Sequence, residues 1–178
     1  MPPSETTRLS AAGPADHVLL SNLLELYIHD LSEAFPHVQL GADGRFGYPS
    51  LPLYWSERDR HFAFLISHGA SIAGFALVTR GSPAVASPDV YDLAEFFVLR
   101  RHRRAGVGRS AAFLLWRSLP GAWVVRVSEA NPAALAFWGR VIGEFANDGA
   151  TRSTRPGRTQ PWQVFEFDST PSPERPLV

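Results

Sequence analysis

A strand that turns, with no spacer, through a cluster of arginines and glycines into a helix sets the frame for this chain. Residues 91–99 are rich in aromatic and branched side chains and predict a strand. Arg100, Arg101, Arg103 and Arg104 follow within five positions, and then Gly106, Gly108 and Arg109. Residues 108–118 read as a helix that packs on Ala111, Ala112, Leu114 and Leu115 and is stopped by Leu119-Pro120-Gly121. Glycines without a Cβ let backbone N–H groups converge on one concavity. The helix adds its unbonded first-turn N–H groups and the positive end of its dipole, and the arginines add charge. A pyrophosphate fits such a place.

The flanking segments build a sheet around it. Residues 1–13 read as a loose leader. A helix capped at Asp16 runs to about residue 35, with Leu20, Leu23, Leu24, Tyr27 and Leu31 on one face. The Gly-, Pro- and aromatic-rich stretch 36–60 reads as irregular, with a short helix near 54–58. Strands at 61–68 and 72–79, joined by a turn at Gly69, predict a hairpin. Another strand is expected at 122–128. Asn131-Pro132, a capping residue followed by a first-turn proline, starts a helix to about residue 142. The polar stretch 146–161 reads as turns, 162–167 as a last strand, and 169–178 as a disordered tail. The expected domain therefore spans 14–168 and is mixed α/β, or α+β, around one sheet.

Composition removes several function classes. With no Cys there is no disulfide, thiolate metal site or thiol nucleophile. The six histidines show no metal-ligand spacing, so no metal is expected. No serine sits in a G-x-S-x-G setting, which argues against a hydrolase. Seventeen basic and 17 acidic residues balance, unlike a general nucleic-acid binder. No apolar run is long enough for a membrane span, and 1–13 lacks the pattern of a secretory signal, so a cytoplasmic location is expected. All 17 Lys/Arg residues are Arg, which together with abundant Ala, Gly and Pro reads as a bacterial coding bias.

Two ligand classes use a Gly-rich turn into a helix. Gly106-x-Gly108-x-x-Ala111 fits a dinucleotide fingerprint, with Glu129 about where a ribose-binding acid sits. The upstream hairpin and the short remainder of the chain leave little room for that doubly wound sheet. The other class is coenzyme A. Arg103-Arg104-Ala105-Gly106-Val107-Gly108 resembles the R/Q-x-x-G-x-G/A acyl-CoA loop of the GNAT acetyltransferases. Asn131 to Trp138 (NPAALAFW) resembles that family's second landmark, N-x-x-A-x-x-F-Y, in matching order and spacing.

The resemblance implies a GNAT-like fold: a mixed, mostly antiparallel sheet with helices on both faces and two central strands that splay to admit acyl-CoA. It implies N-acyl transfer, most simply acetyl from acetyl-CoA to a primary amine on a small molecule or peptide. The backbone of Phe96 and Val98 is expected to pair with the pantetheine arm. The N–H groups of Arg104, Ala105, Gly106, Val107, Gly108 and Arg109 are expected to hold the pyrophosphate, with Arg103 beside them. Asn131 and Phe137 are expected against the CoA arm. The chain departs from the pattern at Trp138, where the family often has a proton-donating Tyr; an indole N–H is no usable acid near neutral pH.

The motif strand offers two carboxylates as base, Asp92 and Glu95. Alternation puts them on opposite faces unless a bulge intervenes. Glu95 is nearer the expected thioester, whereas strand parity favours Asp92. On the acceptor side, Tyr27, Asp30, Glu33, Tyr54 and Trp55 offer the acids and aromatics that suit a cationic amine. Each has a plainer reading: Asn131 as a helix cap, Phe137 and Trp138 as core, one carboxylate as an arginine partner, the first-helix residues as a solvated stripe. A CoA-binding sensor without turnover, a dinucleotide reductase and a nucleic-acid binder are the alternatives. Oligomeric state, a homodimer included, cannot be derived from the sequence.

Overall fold

The computed structural model describes residues 6–157 and 160–171. Seven strands and four helices follow in the order β1 (Thr7–Ala11), α1 (His17–Ser32), α2 (Leu53–Ser56), β2 (His61–His68), β3 (Ser71–Arg80), β4 (Tyr91–Val98), α3 (Val107–Ser118), β5 (Ala122–Ser128), α4 (Pro132–Ala146), β6 (Thr151–Arg155) and β7 (Trp162–Asp168). They form one sheet in the order β1-β2-β3-β4-β5-β7-β6, antiparallel except where β4 meets β5.

Two expectations are corrected. Part of the presumed leader is β1, which pairs from Thr7 to Ala11 with His68 to Phe64 of β2. Part of the polar stretch before the last strand is β6, paired with β7. Both are edge strands with little burial, held by backbone hydrogen bonds rather than an apolar pattern. Ser169, read as the start of a disordered tail, is instead buried, donating its N–H to Gly121 and accepting from Trp123. Residues 1–5 of the leader reading and 172–178 of the tail reading lie outside the described residues.

Each face of the sheet is covered. On one, Ala112, Leu115 and Trp116 of α3 and Trp138, Val141 and Ile142 of α4 pack against Val78, Leu93, Val125 and Phe165. On the other, Leu20, Leu23 and Leu24 of α1 and Tyr54 of α2 pack against Phe75, Leu77 and Phe97. Alternation along β3 and β4 supplies both faces.

The sheet is split in the middle. β4 pairs with β5 only at Tyr91–Trp123, Asp92–Val124 and Leu93–Val125. Beyond Leu93 the strands part, β5 pairing onward with β7 alone while β4 stays on β3. Leu99 donates its N–H to Ala73 of β3, so by alternation Phe96 and Val98 turn their peptide groups toward the gap.

Where β4 leaves β5 it also bulges. Leu77 of β3 faces Glu95 and Val78 faces Leu93, so Ala94 has no partner. The extra residue resets the alternation. Tyr91 and Leu93 belong to the α3/α4 face and Phe97 to the α1 face. Asp92 and Glu95 therefore come to the same face, that of α1.

Candidate active site

The bulge gives the two carboxylates different tasks. Asp92 is fully buried and bound by both arms of Arg126 of β5, Nε to Oδ2 at 2.7 Å and Nη2 to Oδ1 at 2.8 Å. Arg126 also lies over the Trp162 ring, 4.7 Å from its centroid. This pair ties β4 to β5 at the apex of the split, each Asp92 oxygen accepting one N–H of the guanidinium.

Glu95 sits past the apex, and among the described residues no arginine pairs with it. Tyr27 of α1 donates to its Oε2 at 2.6 Å, and Tyr48 donates to its Oε1 at 3.1 Å. Burial pushes the Glu95 carboxyl above the usual range and outweighs the two phenol hydrogen bonds and the attraction of Arg126. The phenols of Tyr27, Tyr48 and Tyr54 are raised first by their own burial and then by the charge of Glu95. A carboxylate among protonated phenols is able to accept a proton near neutral pH.

Tyr48 and Arg126 were absent from the candidates read off the sequence. Tyr48 lies in an irregular loop with no periodicity to mark it. Its place comes from Glu25 of α1, which accepts the N–H groups of Phe46 at 2.7 Å and Gly47 at 3.1 Å and the Nε of Arg45 at 3.2 Å. Burial pushes Glu25 upward, but those donors hold it below the ordinary carboxylate range. Arg126 was hidden in a strand that otherwise reads as core.

The acceptor-side candidates divide. Tyr27 holds Glu95, and Tyr54 is buried near enough to feel its charge. Asp30 is instead bound to Arg100 at 2.8 Å and Arg103 at 2.7 Å. Trp55 donates to His17 Nδ1 at 2.9 Å, and Glu33 is exposed.

The Arg/Gly turn has the shape of an anion cradle. Arg104 and Gly106 have positive φ, 63° and 78°, and α3 starts at Val107. The first-turn N–H groups of Val107, Gly108 and Arg109 have no intrahelical acceptor. A Cβ on Gly106 would project into open space, so glycine there serves the backbone conformation. A Cβ on Gly108 would stand 3.2 Å from Phe137 Cζ, so glycine there lets α3 approach α4. The arginines have separate duties. Arg103 Nε donates to the Val98 carbonyl at 2.7 Å while its Nη2 reaches Asp30. Arg109 is paired with Glu144 of α4. Arg101 and Arg104 are exposed.

Across the gap, Asn131 accepts the N–H of Ala134 at 3.0 Å and so caps α4. Phe137 stacks on Phe96 at 6.4 Å between centroids. Trp138 is core, 7% exposed, edge-on to Phe96 and against Trp116.

A split sheet, a bulged strand with its backbone facing the gap and an N–H cradle at the gap's end form one construction. The sequence matches the family model of the GNAT acetyltransferases over residues 21–143. This chain belongs to the GNAT acetyltransferase family. Members of the family use acetyl-CoA as acyl donor. Solved structures share the fold. An acetyltransferase from Thermus thermophilus is 17% identical, with a TM-score of 0.62 over 93% of this chain and 98% of that one. A Salmonella typhimurium protein solved with its cofactor acetyl-CoA is 14% identical, with a TM-score of 0.60 over 96% of each chain. The spermidine N-acetyltransferase of Vibrio cholerae, in complex with CoA and spermine, is 11% identical, with a TM-score of 0.62 over 92% of this chain and 95% of that one. No curated protein matches. Among the described residues no helix is long and apolar enough to cross a membrane.

Proposed function

We propose that this GNAT domain is an N-acetyltransferase that moves acetyl from acetyl-CoA to a primary amine by direct attack, with Glu95 as general base. The observation that carries the reading is the placement of Glu95. It lies one residue past the bulge, on the α1 face of β4, and is held by Tyr27 and Tyr48, with no cation bound to it among the described residues.

The residues present fit the cofactor. The peptide groups of Phe96 and Val98, free of β5, would pair with the pantetheine amides as an added strand would. The N–H groups from Arg104 to Arg109 would hold the pyrophosphate at the start of α3. Asn131 and Phe137 would flank the arm. When bound, acetyl-CoA supplies an acetyl group activated as a thioester. An amine attacks only when neutral, and Glu95 takes its proton. Its raised pKa makes it a stronger base than an exposed carboxylate. With no Cys, no acyl-thiol enzyme forms and the acceptor attacks directly.

The acceptor is a small molecule or a peptide that presents a primary amine, and the absence of Cys suits a cytoplasmic enzyme. A second reading, a CoA-binding module without turnover, is favoured by one observation: Trp138 stands where the family often has its acid. Release of CoA thiol from acetyl-CoA, followed with a panel of polyamines, aminoglycosides and peptides, separates the two. Transfer predicts thiol release with at least one amine and its loss in Glu95→Gln. CoA binding with no thiol release from any amine leaves the binding module.

A further inference from the structure

Trp138 leaves the departing thiolate without a donor on α4. The phenols on Glu95 are the nearest O–H groups to the base, and they differ. Tyr27 sits on a helix, with its ring edge-on to Phe75 at 5.7 Å and tilted against Phe97 at 5.7 Å. Its 2.6 Å hydrogen bond to Oε2 has the short length of a charge-assisted O–H···O⁻ bond. Tyr48 comes from a loop and makes the longer bond, 3.1 Å, to the other oxygen. The two rings hold the Tyr27 ring in place, so its hydroxyl hydrogen moves only by rotation about the C–O bond once Glu95 is protonated and releases it.

We propose that Tyr27 is the acid of the reaction and that Glu95 and Tyr27 form a two-residue proton relay from the amine to the CoA sulfur. The proposal rests on the reading of Glu95 as base. Oε2 has two lone pairs, one used by Tyr27 and one free for the amine proton. Glu95 takes the amine proton there; the Tyr27 O–H turns to the sulfur, and the carboxyl O–H rotates about its C–O bond to donate to the Tyr27 oxygen. Tyr27 passes its own proton to the departing sulfur. Over the cycle the N–C bond forms, the C–S bond breaks, the amine proton is replaced by a proton on sulfur, and both side chains return to their starting state. No free phenolate stands at any point, so the high pKa of the buried phenol is no obstacle.

Two measurements test the relay. The first needs no acceptor. Glu95→Gln mimics the protonated base and frees the Tyr27 hydroxyl for the sulfur. In that background the thiol of bound CoA, titrated by thiolate absorbance, is expected to ionise at lower pH than in Glu95→Gln/Tyr27→Phe. Glu95→Gln/Tyr48→Phe is expected to match the single variant. Equal titration with and without the Tyr27 hydroxyl overturns the proposal, as does a shift produced by Tyr48 instead.

The second uses hydroxylamine as acceptor with acetyl-CoA and with its selenoester analogue, whose selenolate leaves without needing a proton. Tyr27→Phe is expected to lose about 10²-fold or more in kcat on acetyl-CoA and to return close to wild type on the selenoester. An equal loss on both donors assigns Tyr27 a structural role and overturns the relay. Glu95→Gln is expected to be slow on both donors; full turnover by Glu95→Gln overturns Glu95 as base and the relay with it, whereas CoA binding with no acceleration of any amine by the wild-type protein refutes the transferase reading itself.

Discussion

As the proposed base, Glu95 carries opposing demands, because the burial that raises its pKa also penalises its charge. Its folded-state pKa lies above the unfolded value, so the protonated form suits the folded state. Its ionisation therefore destabilises the protein as pH rises past the unfolded value and through the folded one. Glu95→Gln is expected to lower kcat/KM by ~10²–10⁴-fold and yet to raise stability at pH 7–8. That gain should shrink as pH falls toward 4, where both side chains are neutral. Urea titrations at several pH values measure it. The acidic limb of the wild-type kcat/KM profile should lie above the ordinary glutamate range of about 4.3. Asp92 and Arg126 behave otherwise. Arg126→Met leaves a fully buried carboxylate unpaired and is expected to cost roughly 3–5 kcal/mol of unfolding free energy. Adding Asp92→Leu should recover most of it, since a buried pair is often replaceable by apolar side chains.

At the scale of elements, close backbone approaches set the tolerances. A Cβ on Gly74 of β3 would stand 1.9 Å from the Phe97 carbonyl oxygen of β4. Gly74→Ala must therefore displace backbone, and a loss of about 3 kcal/mol, the upper end of the usual overpacking cost, is expected in chemical denaturation. Gly108→Ala meets side-chain atoms alone, the end of the Phe137 ring at 3.2 Å and Val98 Cγ2 at 3.6 Å, so a smaller stability cost in chemical denaturation and weaker CoA binding in a calorimetric titration are expected. Legibility in the sequence followed the same physics. Most of the helix faces of α1 and α3, the β2–β3 hairpin and the Asn131-Pro132 start of α4 are written in periodicity and capping residues; Leu31 and Leu114, expected on those faces, stand outside the core clusters, and Asp16 makes no side-chain cap to α1. β1 and β6 are not so written, because an edge strand is held by peptide hydrogen bonds that any side chain permits. The bulge at Ala94 leaves no mark in the sequence, so the shared face of Asp92 and Glu95 became visible only in the register. Tyr48 was hidden because it depends on Glu25, 23 positions earlier, to anchor its loop.

For the whole molecule, one sheet held together at its apex and open beyond it joins the two halves of the site. The Asp92–Arg126 pair closes the apex from the α1 face, Phe96 and Phe137 line the gap from the other, and the α3 cradle closes its end. The central claim is that this opening is built for acyl-CoA. Thermal unfolding with acetyl-CoA, CoA and NADH side by side tests it most directly. A ligand bound only to the folded state at 100 times its Kd adds about 2.7 kcal/mol. At about 2–4 °C per kcal/mol for a chain of this size, that raises Tm by roughly 5–10 °C. The account predicts that shift with acetyl-CoA and CoA and none with NADH; a Tm unmoved by either CoA species, or raised by NADH alone, would contradict it.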